Sequence, residues 1–167
     1  MTQQNVSRSI AFSDSHVELA CFEVHGNIVA IDVLQIREIV RWQDVTPLPR
    51  APALIEGVVD LRGAVIPVVD LGRALGGESV GESNSARIVV LEVDGMVLGL
   101  RVEAATVVLS VESSSLEEPP SLVTSAGYEA VRAVVRREKQ PPVMVLSLEN
   151  LVENVYRSAL AKPDDEE

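Results

Sequence analysis

Short apolar runs rich in valine and isoleucine alternate along this chain with breaks of glycine, proline, asparagine and serine, a pattern of strands rather than long helices. Val17 to Val24 reads as a strand, His25-Gly26-Asn27 as a turn, and Ile28 to Val33 as the returning arm of a hairpin. Leu34 to Val40 fits either a short helix or a continuing strand. Thr46 to Pro52 is irregular, because Pro47, Pro49 and Pro52 remove amide donors and fix φ. Gly57 to Leu61 and Ala64 to Val69 form a second predicted hairpin around Arg62-Gly63, and Pro67 within it marks an edge or a bulge. Asp70 to Leu75 reads as a helical turn with Asp70 as N-cap. Residues 76–85, GGESVGESNS, are expected to form a flexible loop and supply the best internal boundary.

Beyond that loop the pattern returns. Phe22 to Val33 aligns without gaps on Leu91 to Val102, each a pair of apolar arms around an X-Gly turn. Val68 to Leu75 is echoed by Val145 to Val152, each a strand running into a helical turn. Two related β-units follow, and short strands with regular turns favour small barrels over a βαβ sheet. In the second unit Val107 to Val111, Tyr128 to Arg136 and Val143 to Leu146 are predicted strands. Ser113 to Leu122 is an acidic loop, and Lys139-Gln140-Pro141-Pro142 joins the last two strands. Ser147 to Tyr156 is predicted as an amphipathic helix capped by Ser147. Residues 1–15 form a polar, flexible N-terminus, 16–157 one folded domain, and 158–167 an acidic flexible tail.

Composition narrows the function. Aromatic residues are 3% of the 167, so the core must be aliphatic. A net charge of −11 repels nucleic acid and anionic membranes, whose phosphates require clustered lysine and arginine. The one basic cluster, Arg132, Arg136, Arg137 and Lys139, reads as a charged strand edge that discourages aggregation. Cys21 is the single cysteine, so no internal disulfide forms, and its apolar neighbours predict burial. The N-terminus lacks the pattern of a secretory signal, and no apolar run approaches the ~20 residues of a membrane-spanning helix, which points to the cytoplasm.

Chemistry-bearing motifs are sparse. His16 lies in the polar lead-in and His25 in a turn, neither with a second ligand at metal-binding spacing. Gly76-Gly77-Glu78-Ser79-Val80-Gly81 lacks the Gly-Lys-Ser/Thr ending of a phosphate loop, and its carboxylates oppose phosphate. Glu117-Glu118 reads as a pair of solvated loop charges. No cofactor or metal is expected, and the chain reads as a non-enzyme.

Val45 to Leu71, VTPLPRAPALIEGVVDLRGAVIPVVDL, closely resembles the signature of CheW-like domains: a proline-containing segment, then Gly, strand, Leu-Arg-Gly, strand, Pro, strand and Asp-Leu. Ile31 to Ile39, the hairpin at Asp94-Gly95 and Leu148 to Leu151 fit the same pattern, so the resemblance runs from about residue 17 to 157. Asp60 stands where asparagine is usual, and Ala30 and Ala133 stand where glycine is frequent. The resemblance implies a mainly β protein of two intertwined five-stranded, SH3-like β-barrel subdomains. It implies a scaffold that couples methyl-accepting chemoreceptors to a CheA-type histidine kinase carrying a homologous domain. The alternative is a stand-alone regulatory domain that modulates a kinase in a motility or developmental pathway without receptors; no kinase or receiver domain is found in the sequence.

By the same resemblance, Ile36, Glu38, Gly57 and Arg62 match positions of receptor engagement. Glu38 and Arg62 carry opposite charges and are expected to pair and shape that surface, with Gly63 permitting the tight turn that presents Arg62. The bland reading of Arg62 is an exposed turn residue. A receptor helical hairpin is expected in a groove between the barrels, with Val33, Ile36 and Leu98 as candidates for its floor, although core packing explains those three equally well. Kinase contacts are expected at the barrel ends.

Overall fold

The predicted hairpins supply the centre of each of two sheets. The computed structural model describes residues 15–120 and 129–160. Its strands are β1 (His16–Val24), β2 (Asn27–Asp32), β3 (Ile36–Arg41), β4 (Ile55–Leu61), β5 (Ala64–Asp70), β6 (Arg87–Val93), β7 (Met96–Val102), β8 (Ala104–Glu112), β9 (Val131–Arg137) and β10 (Gln140–Leu146). The helices are α1 (Leu71–Ala74) and α2 (Leu148–Leu160), with single 3-10 turns at Val33–Gln35 and Ser113–Ser115. Leu34 to Val40, left open between helix and strand, is both: a 3-10 turn whose Leu34 amide donates to Asp32 Oδ1 at 2.9 Å, then strand β3. The strand expected to begin at Tyr128 starts at Val131, and Tyr128 itself lies outside the described residues, as do most of the proposed flexible termini.

The five-stranded sheets run β8-β1-β2-β10-β9 and β3-β6-β7-β5-β4. Each has the same plan, a central antiparallel hairpin whose second strand is joined in parallel to the second strand of another. The sequence repeat is visible in the register: Ala30 faces Val145 across β2 and β10, and the aligned Gly99 faces Val68 across β7 and β5. The units nevertheless do not follow the chain halves. The β1–β2 hairpin belongs with β8–β10, while β3–β7 form the other unit. The chain after the first edge strand returns to the opposite edge in both, through Thr46 to Val58 and Glu117 to Val134, so each sheet curls back on itself. Two five-stranded SH3-like units result.

Three clusters of buried side chains follow from that plan. Leu19, Cys21, Ala30, Val143 and Val145 fill the first unit. Val59, Val68, Ile88 and Val90 fill the second. The alternate residues of the same strands, Phe22, Val29, Ile31, Val89, Leu91 and Leu100 among them, form a central core between the units, joined by Leu148 and Leu151 of α2. The hairpin strands are therefore covered on both faces and read as continuous apolar runs.

Three local features depart from expectation. Pro67 is on an interior strand; it lies just beyond the β5–β7 ladder, which begins at Val68, so its missing amide leaves no partner waiting. Loop 76–85 joins two strands of one sheet, so it is not a boundary between the units, and it is pinned: Val80 is fully buried in the central core, and His25 Nε2 lies 2.5 Å from the Glu78 carbonyl oxygen. The final strand begins at Gln140 rather than Val143, with Pro141 and Pro142 in a register shift against β9. Asp70 and Ser147 cap their helices as expected, accepting from Arg73 N at 3.1 Å and Asn150 N at 3.2 Å.

Cys21 is 1% exposed, and burial pushes its thiol above the ordinary range against a smaller opposing pull from the Arg137 charge. The folded protein is expected to resist a thiol-modifying disulfide reagent at pH 7, with one equivalent reacting only in denaturant; fast native labelling would place Cys21 outside the core.

Candidate partner-binding site

Arg62 and Gly63 both adopt left-handed backbone, with φ of 54° and 87°, the geometry of a two-residue hairpin loop that follows the sheet twist. An arginine in that region bears a steric cost of about 1–2 kcal/mol. The Asp60 carboxylate offsets part of it by accepting from the Gly63 amide at 2.9 Å, so aspartate does here what an asparagine side-chain oxygen would do.

The turn aims the guanidinium at β3. Arg62 and Glu38 form a two-pronged contact, with distances of 2.9 Å and 3.2 Å between separate nitrogens and separate carboxylate oxygens. β3 and β4 are the two outer strands of the second sheet, so the pair spans its open edges and holds a charged fork at the surface. Arg62 remains 80% exposed and retains donors for a partner.

Gly57 is buried. A β-carbon there would stand 2.2 Å from the Thr46 carbonyl oxygen and 2.8 Å from Val45. Its contribution is indirect: the missing side chain lets the proline-bearing segment join β4 through paired Thr46–Val58 amide bonds of 2.8 Å and 2.9 Å.

The three groove candidates separate. Val33 and Ile36 are half-buried against the central core. Ile36 faces Leu91, and Leu91 faces Leu98, which sets Ile36 and Leu98 two strand spacings, about 10 Å, apart on one face. Leu98 is nearly buried and lines a different, apolar cavity of about 240 Å³ with Pro52, Ile55, Pro67, Val155 and Tyr156. Val33 and Ile36 do not line that cavity.

Two further apolar residues are exposed. Leu34, on the 3-10 turn, is 92% exposed. Val108 faces Ala20 of the central core across β8 and β1 and is 61% exposed, beside a bulge that sets Thr106 and Val107 against Cys21 alone. Ile36 and Val108 thus carry the central core's face out to the edges of their two sheets. The strand was legible in the sequence; its exposure was not, because exposure depends on where the other sheet stops.

Sequence reading also missed a buried ionic cluster. Arg101 in β7 is 6% exposed and reaches Asp70 at 2.9 Å, both Glu56 oxygens at 3.1 Å and the Val80 carbonyl, while its guanidinium lies 4.5 Å from the centre of the Trp42 ring. The available signal was one arginine inside the apolar run MVLGLRV. Among the described residues, no group of three or more His, Cys, Asp or Glu is placed to hold a metal ion, and no helix is long and apolar enough to cross a membrane.

A family model for the CheW-like domain matches residues 18–155. The chain belongs to the CheW-like domain family. It is 33% identical over 121 residues to the chemotaxis protein CheW of Rhizobium meliloti (strain 1021), covering 72% of this chain and 78% of that one. It is 30% identical over 132 residues to chemotaxis protein CheW of Treponema pallidum (strain Nichols), covering 77% and 78%. Among solved structures, the scaffolding protein TtCheW from Thermoanaerobacter tengcongensis matches with a TM-score of 0.74 and 29% identity over 81% of this chain and 86% of that one. In this CheW-like chain the Leu-Arg-Gly signature forms the turn that carries Arg62 to Glu38.

Gly57→Ala is expected to cost about 3 kcal/mol, because the clash is with backbone rather than a movable side chain; an unchanged urea midpoint would refute the close approach. A double-mutant cycle on Glu38 and Arg62 should give a coupling of about 0.5 kcal/mol in low salt that vanishes near 1 M, as screening predicts for an exposed pair.

Proposed function

We propose that this chain is a non-enzymatic adaptor that couples methyl-accepting chemoreceptors to a CheA-type histidine kinase, working in the cytoplasm at receptor arrays. The observation that carries the reading is the Glu38–Arg62 fork, exposed and held on rigid strands. Pairing across two strands lowers the entropy Arg62 would lose on engaging a partner, and a pre-ordered guanidinium selects a carboxylate or a carbonyl cluster. Leu34 and Ile36 at the start of β3, with Val108 on the edge of the other sheet, offer the apolar contacts a helical hairpin tip would bury. An apolar floor beside a charged rim is the usual anatomy of a specific interface.

Kinase contact is expected at the barrel ends. Mutation of a rim charge such as Arg62 alters association rate and salt dependence more than the fold. The wild-type chain, mixed with a CheA-type kinase and a chemoreceptor signalling fragment from the same organism, is expected to join both and raise kinase autophosphorylation. Arg62→Ala should weaken receptor recruitment roughly tenfold, equivalent to about 1.4 kcal/mol, and leave kinase binding intact. A wild type that binds kinase and never recruits receptor would replace this reading with that of a stand-alone regulatory domain.

A further inference from the structure

We infer that Arg101 is a positioning residue for the Glu38–Arg62 fork, holding from inside the two strands that the fork joins outside. Trp42, under the guanidinium, directly follows β3, four residues beyond Glu38. Glu56, bound through both carboxylate oxygens, is the second residue of β4, six residues before Arg62. The Thr46–Val58 bridge lies on the same closure. The chain is thus drawn together at two levels, by Arg101 beneath and by Glu38 with Arg62 above.

Arg101 is also fixed from behind. Asp70 accepts from it at 2.9 Å, and Asp70 in turn accepts from Ser79 Oγ at 2.6 Å and from the Val80 amide at 3.0 Å. The Val80 carbonyl accepts from the other terminal nitrogen. Anchored on β5, β7 and loop 76–85, the guanidinium has little freedom to follow either edge strand, so the edge strands must come to it. A lysine could keep the charge beside Asp70 and could not reproduce the planar fork shared among Glu56, Val80 and Trp42. The fork outside depends on this because a two-pronged arginine–carboxylate contact tolerates little displacement of its carriers.

The test is the Glu38–Arg62 coupling measured by urea unfolding in three backgrounds: wild type, Arg101→Lys and Glu56→Gln. General destabilisation cancels within each cycle, so a purely structural role for Arg101 leaves the coupling unchanged. The coupling is expected to fall by at least half in Arg101→Lys and to fall in Glu56→Gln, a milder change at a partly exposed residue that keeps the variant folded if lysine does not. Equal coupling in all folded backgrounds would overturn the inference. Only the binding consequence rests on the adaptor reading: receptor-fragment affinity should drop several-fold in Arg101→Lys with kinase affinity retained. The unfolding cycles need no partner, so a wild type that failed to bind receptor would defeat the adaptor reading and leave this inference to be decided by the coupling alone.

Discussion

Everything in this molecule is constrained by one shared core. Two curled sheets each enclose their own apolar cluster and then press their remaining faces together, so β1, β2, β6 and β7 must be apolar on both sides. Leu19 and Cys21 point one way while Ala20, Phe22 and Val24 point the other. Each such aliphatic side chain contributes about 1.5–3 kcal/mol when fully buried, and the central cluster draws them from both units at once. Neither unit could present its inner hairpin to water alone. The same constraint moves nearly all polar function outward, to turns, sheet edges and the rim where the central core surfaces at Ile36 and Val108.

Arg101 is the exception, and its setting explains how a charge survives inside. Asp70 and Glu56 neutralise it, Val80 and Trp42 fill the remaining space, and only its Nε lacks a hydrogen-bond partner among the described residues. A buried ion pair of this kind adds little net stability over well-packed apolar side chains, but removing one member is severe, about 3–5 kcal/mol. Its value is geometric. Apolar contacts at this place would let β3, β4 and loop 76–85 slide, whereas directed bonds fix one arrangement. In the other unit the register-equivalent positions are Asp32 and Ser147, which cap a 3-10 turn and a helix, whereas Asp70 caps its helix and also binds Arg101. The two halves share a topology and differ in what each polar pair fixes.

The parts of the structure set by neighbouring residues were legible from sequence. Hairpins centred on X-Gly turns, the caps at Asp70 and Ser147, the burial of Cys21 and the approach of Arg62 to Glu38 all follow from local turn chemistry or from a motif with its spacing intact. What escaped depends on distant chain. Residues 76–85 look flexible by composition, yet Val80 is locked by Asp70, on the far side of a short helix, and by Arg101, beyond a whole strand. Ile36 and Leu98 look interchangeable as apolar groove residues until the register places Leu91 between them. Gly57 looks like a surface position by motif and proves to be a contact point for a proline segment that no local pattern ties to it. The halves of the chain look like the units until the pairing shows β1 and β2 completing the second half.

Chemical-shift mapping of the labelled protein with an unlabelled chemoreceptor tip fragment tests the central claim most directly. The largest changes are expected at Leu34, Ile36 and Glu38, at Arg62 and Gly63, and at Val108, with the β9–β10 hairpin quiet. Changes confined to β9 and β10, or to the cavity beside Leu98 and Tyr156, would contradict it and move the receptor-binding face to another part of the molecule.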